Sequence, residues 1–152
     1  MKKMIIAISL MMYGIICQAV DIPSNLIDLL PTGSSSVNLD GTTSDGKSCV
    51  VGISYSSIAY SIVAIADGKA AKLQIGLGHE IMEIFDTENN EIIVKTYHDA
   101  EEQYSRDTKS TATITRNEEG VITSIDVLET EKRLLLLGWS TRAHIKCNFA
   151  SN

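Results

Sequence analysis

From Cys49 onward the chain alternates. Cys49, Val51, Ile53 and Tyr55 fall on one side of a two-residue period, with Val50, Gly52 and Ser54 on the other. Tyr60, Ile62 and Ala64 alternate with Ser61, Val63 and Ile65, and Leu73, Ile75 and Leu77 with Lys72, Gln74 and Gly76. Such alternation predicts half-buried strands, because successive side chains of a strand point to opposite faces. Apolar-rich runs at 81–85 and 91–97 flank the polar stretch 86–90 (DTENN), which predicts a hairpin. A long, Thr-rich strand over 104–116 follows, polar on one side. The turn 117–120 (NEEG) leads into 121–128, and 140–147 forms the last strand.

Short, evenly spaced strands with turn residues between them predict an all-β, antiparallel domain of about eight strands, either a sandwich or a meander barrel. Three regions depart from the alternation. Residues 21–30 (DIPSNLIDLL) predict a helical turn from Ser24, with Leu26, Leu29 and Leu30 on one face and Pro31-Thr32-Gly33 ending it. Residues 34–48 read as loop around at most one short strand at 36–39, with Asp40-Gly41 and Asp45-Gly46 as turn dipeptides. Residues 129–137 (ETEKRLLLL) contain strong helix formers and fit either a short helix or a strand. Gly76-Leu77-Gly78 reads as a bend between strands.

The first nineteen residues change what the rest must do. Lys2 and Lys3 precede an uncharged, mostly apolar run over 4–16, and Cys17-Gln18-Ala19 sets small residues where a signal peptidase accepts them. The expectation is a signal peptide over 1–19, a segment over 20–48 and a β domain over 49–152, in a periplasmic or secreted protein. The alternative is a lipid anchor at Cys17, weakened by Ile16 before it, where such signals need a small residue. The apolar run falls short of the roughly 20 residues of a membrane span, so no span is expected in the mature chain.

Export fixes the reading of the cysteines. With Cys17 removed, Cys49 and Cys147 are left as a pair in an oxidising compartment, which predicts a disulfide closing a loop of 98 residues. No close CxxC spacing suggests zinc, and neither a metal nor a cofactor is expected.

Charge narrows the partners. The net charge is −6, and loss of Lys2 and Lys3 makes it −8, which disfavours nucleic acid and anionic lipid surfaces. Eight acidic residues and only Lys95 as a base lie over 80–102. Glu80, Glu83, Glu101 and Glu102 are therefore candidates for an acidic face. His79-Glu80-Ile81-Met82-Glu83 begins like a zinc-protease helix motif but has Glu83 in place of the second histidine, and its period is that of a strand. His98-Asp99-Ala100-Glu101-Glu102 lacks the glycine-containing pattern of a calcium loop. His98 and His144, with Asp99 or Asp126, would form a metal or acid–base site only if the fold brought them together. No set of nucleophile, base and oxyanion donors can be assembled, so no catalytic residue is assigned. The apolar run 133–139 (RLLLLGW) is the best remaining candidate, with Trp139 as anchor and Leu135 and Leu137 beside it.

The expected function is that of a non-enzymatic, exported β domain that binds a protein, a glycan or a small apolar ligand. One alternative is an inhibitor-type module that blocks an extracellular or cell-wall enzyme through the acidic face. Another is a hydrolase with an unrecognised site.

Overall fold

The computed structural model describes residues 20–88, 90–99, 107–133 and 138–150. A single helical turn, α1 (Ser24–Ile27), precedes nine strands: β1 (Ser36–Thr42), β2 (Ser48–Tyr55), β3 (Ala59–Ala66), β4 (Lys69–Gly76), β5 (His79–Thr87), β6 (Glu91–His98), β7 (Thr108–Arg116), β8 (Ile122–Arg133) and β9 (Gly138–Asn148). Each strand pairs antiparallel with its neighbours in sequence, and Thr42 opposite Asn148 closes the sheet into a barrel. Between the two expected forms, the chain takes the meander barrel.

Alternation explains the core. Val51 and Ile53 of β2, Ile62 of β3, Leu73 of β4, Val94 of β6, Ile114 of β7 and Val127 of β8 are fully buried and fill the interior. Burying one such side chain stabilises the fold by roughly 1.5–3 kcal/mol relative to leaving it exposed. The outward positions of the same strands are polar or partly exposed.

The ninth strand is β1, and it corrects one expectation. Asp40-Gly41 does not turn but continues the strand, with Gly41 opposite Cys49. A Cβ at Gly41 would stand 2.5 Å from the Asn148 carbonyl oxygen and 2.9 Å from Cδ1 of Phe149, so the glycine serves close approach between the first strand and the chain after β9. Asp45-Gly46 does turn, with Gly46 at φ 81°. Residues 129–133 belong to β8, where pairing with β7 and β9 overrides helix propensity. The hairpin between β5 and β6 is tighter than expected, since Thr87 already pairs with Glu91.

The disulfide forms. Cys49 and Cys147, both buried, lie with Cα atoms 6.0 Å apart. Cys49 lies on β2 and Cys147 on β9, with β1 between them in the barrel, and the bond spans beneath β1. It reinforces a seam that Thr42 and Asn148 hold by a single bridge.

The barrel has a second thin seam. β4 and β5 pair only at Gly76 and His79, then diverge. The Lys72 N–H consequently donates to Oε2 of Glu129 at 3.3 Å, while Oε1 of Glu129 accepts from Arg142 Nη1 at 3.0 Å. Glu129 is only 3 % exposed; a buried carboxylate here stands in for the missing ladder partner.

The meander gives the barrel two unlike ends. The hairpins β1–β2, β3–β4, β5–β6 and β7–β8 and the disulfide share one. At the other are the remaining connections and α1, whose Leu26 is fully buried and whose Leu26 carbonyl accepts a 3.1 Å bond from the buried Tyr60 hydroxyl. Burial pushes the Tyr60 phenol well above its ordinary pKa, so it remains a donor. Among the described residues no helix is long and apolar enough to cross a membrane.

Candidate functional site

The helix-bearing end gathers most of the side chains with recognition chemistry. Trp139 opens β9 and is 40 % exposed. Its ring reaches back across the outer face toward β7 and β6. Lys109 Nζ lies 4.2 Å from the Trp139 centroid, and the Tyr97 ring meets it edge-on at 6.4 Å and 69°. Strand pairing sets these positions: Tyr97 lies opposite Lys109, and Trp139 opposite Lys132. Lys132 Nζ pairs with Asp107 at 3.3 Å, and partial desolvation, with Asp107 and Asp99 adding to it, pushes the Tyr97 phenol up. The result is an amphipathic platform whose cation and rings fix one another. Leu135 and Leu137 lie outside the described residues, and the arrangement rests on Tyr97 and Lys109 instead. Sequence alone offered no signal for that pair, because three separate strands supply the platform.

The acidic face is less acidic than composition suggests. Glu83 is bound by Lys95 at 2.6 Å, and Asp86 by Arg116 at 3.0 Å. Arg116 comes from β7, outside the acidic stretch of sequence. Glu80 is exposed on β5, the strand that also carries the exposed Met82 and Phe85, and makes no ion pair among the described residues. Glu101 and Glu102 lie outside the described residues.

The histidines divide differently from expectation. His144 Nε2 bonds Asp126 Oδ1 at 2.8 Å on the outer face of β8 and β9. His98 is not near it: β7 and β8 intervene. His98 stacks instead on His79, with ring centroids 4.2 Å apart and planes 13° from parallel. Since β5 is a strand, His79 and Glu83 do not share a helix face. Among the described residues no group of three or more His, Cys, Asp or Glu is placed to hold a metal ion.

No protein-family model, curated protein or solved structure matches this chain. The described cavities are shallow and external: one of about 340 Å³ lies between Ser36, Tyr55, Ser61 and Gln74, and one of about 510 Å³ between Val20, Gly76, His79 and Ile81.

Proposed function

We propose that this is an exported, non-enzymatic binding domain that recognises a protein partner through the outer face around Trp139. The observation that carries the reading is the half-exposed Trp139, held in place by Lys109 and Tyr97 rather than packed into the core. A large aromatic fixed before contact loses little conformational entropy on binding, which is why such residues anchor interfaces. Export is supported by the signal-like residues 1–19 together with a buried disulfide, a bond that persists in oxidising compartments.

A photo-crosslinking residue at the exposed position 141, two residues along β9 from an intact Trp139, compared with one at the exposed Val121 of the opposite end, tests the site in intact cells. One discrete adduct from position 141 and none from 121 is expected. Equal labelling from both positions, or none from either, contradicts the reading.

A second reading, inhibition of a basic cell-wall enzyme, draws on the net charge and the exposed Glu80. Pairing of Glu83 and Asp86 with bases in the same chain weakens it. It requires saturable binding to a basic lysozyme at low salt that declines as salt rises, and absence of such binding ends it.

A further inference from the structure

One side of β5 is left without a ladder. Along the other side it pairs with β6 from His79 to Thr87, with a bulge between Ile81 and Glu83 that shifts the pairing by one residue. Toward β4 it pairs only at Gly76 and His79. The register shows which groups are left over. The Arg116 N–H donates to the Asn90 carbonyl at 2.9 Å, so in the β6–β7 ladder the even-numbered residues of β6 turn their main chain toward β7. Ile93 and Lys95 therefore turn theirs toward β5, where they face Phe85 and Glu83. The N–H and C=O groups of Ile84 and Asp86 point the opposite way, to the open side.

Two other thinly paired strands are protected. β1 meets β9 only at Thr42 and Asn148, but its exposed positions are Ser36, Asn38, Asp40 and Thr42, all polar. On β4 the N–H of Lys72 is taken up by Glu129. β5 has neither device. Met82 and Phe85 are among the exposed large apolar side chains, and Ile81 and Ile84 are only half-buried. An apolar edge with unpaired main chain is a template for another strand.

Charge and register select the occupant. Glu83 is bound by Lys95 and Asp86 by Arg116, so the stretch 83–87 does not call for a basic partner. Glu80, which makes no ion pair among the described residues, lies beyond the bulge. A two-fold axis at Phe85 sets that ring opposite its own copy, Ile84 opposite the partner's Asp86, and Glu83 opposite the partner's Thr87. No carboxylate then faces a carboxylate, and a cross-strand aromatic pair is favourable. An axis at Asp86 would oppose two carboxylates, and one at Ile84 would set each Phe85 against the partner's Glu83.

We infer that β5 is a self-complementary edge through which two copies of this chain join as an antiparallel strand pair centred on Phe85. The open-side groups of Ile84 and Asp86 exchange hydrogen bonds with those of the second copy. Such a two-fold contact uses up both edges and does not propagate, and the bulge bends the strand away beyond the short paired stretch. The contact involves none of Trp139, Tyr97 or Lys109. An axis normal to the sheet keeps both outer faces on the same side, so the two Trp139 platforms face the same way.

Sedimentation equilibrium of the purified chain over a range of micromolar concentrations tests the edge. The mass should rise reversibly from one chain to two. In the wild-type chain, hydrogen exchange at the Ile84 and Asp86 amides should slow as the dimer fills, a readout independent of how well any variant folds. Phe85→Lys opposes two ammonium groups, and Ile84→Pro removes an open-side N–H while sparing the ladder to β6. Each should weaken dimerisation by about tenfold or more. Ile65→Lys, at an exposed position of β3, should leave it unchanged. A monomer at every concentration, a dimer without added protection at Ile84 and Asp86, or one that Ile65→Lys weakens as much as Phe85→Lys would overturn the inference.

Discussion

The two ends of the barrel are built on opposite principles. One is closed covalently and by tight turns: Cys49–Cys147 spans beneath β1, Lys47 ties Asp67 at 2.8 Å, and Gly41 admits the chain after β9. The other is closed by α1 packing through Leu26 and by the single β4–β5 pair of Gly76 and His79, from which the two strands part toward the covalently closed end. Trp139, Tyr97, Lys109 and the histidine pair sit at the end that is closed without a covalent tie. A scaffold that fixes one end can present a binding surface at the other without losing its fold.

The largest effect should come from the covalent tie. Replacing Cys49 and Cys147 together by alanine should cost about 4–5 kcal/mol by the chain-entropy argument for a 98-residue loop, read as a drop in the denaturation midpoint. A change under about 1 kcal/mol would mean that the loop entropy is not what the bond removes. At the same end, Gly41→Ala should cost about 1–3 kcal/mol, because the new methyl meets the Asn148 backbone as well as a side chain. Wild-type stability in that variant would show that the first and last strands have room to separate.

These two sites also mark what could be read from residues. One disulfide and an antiparallel all-β domain follow from Cys49, Cys147 and the period of two, since pairing options collapse to one and alternation is local. Gly41 could not be read correctly: Asp-Gly is a turn signal locally, and only the approach of Asn148 and Phe149, more than a hundred residues later, makes it a strand glycine. The histidine pair was hidden for a similar reason, because a single bulge decides whether His79 faces Asp99 or His98. The Trp139 platform was half visible. The tryptophan stood out by composition, while Lys109 and Tyr97 joined it only through a three-strand register.

At the helix-bearing end the expected effects are smaller. Glu129→Ala should destabilise by about 1–3 kcal/mol, since it leaves the Lys72 amide without its acceptor where β5 has diverged. Chemical denaturation of the variant measures this, and an unchanged midpoint would mean that the seam pairs in another way. Acid should act through His79. Its folded pKa lies below its ordinary value of 6.5, so the folded state binds fewer protons than the unfolded chain in that window. Its contribution is present above about pH 6.5 and is lost as pH falls through the lower folded pKa. His79→Gln should flatten that part of the stability profile, and a variant with the same profile as wild type would refute the assignment. Smallest of all, Lys109→Met should change stability by about 0.5–1 kcal/mol or less. It should nevertheless raise quenching of Trp139 emission by acrylamide, because the cation no longer covers one ring face.

Residue-resolved hydrogen exchange on the oxidised protein tests the division between the ends most directly. Amides of Val51, Ile53, Val127 and Ile145 should exchange only through global unfolding, and those of α1, Gly76–His79 and Trp139 through local openings of lower free energy. Uniform protection of both sets, or faster exchange near Cys49 and Cys147 than near Trp139, would contradict the account.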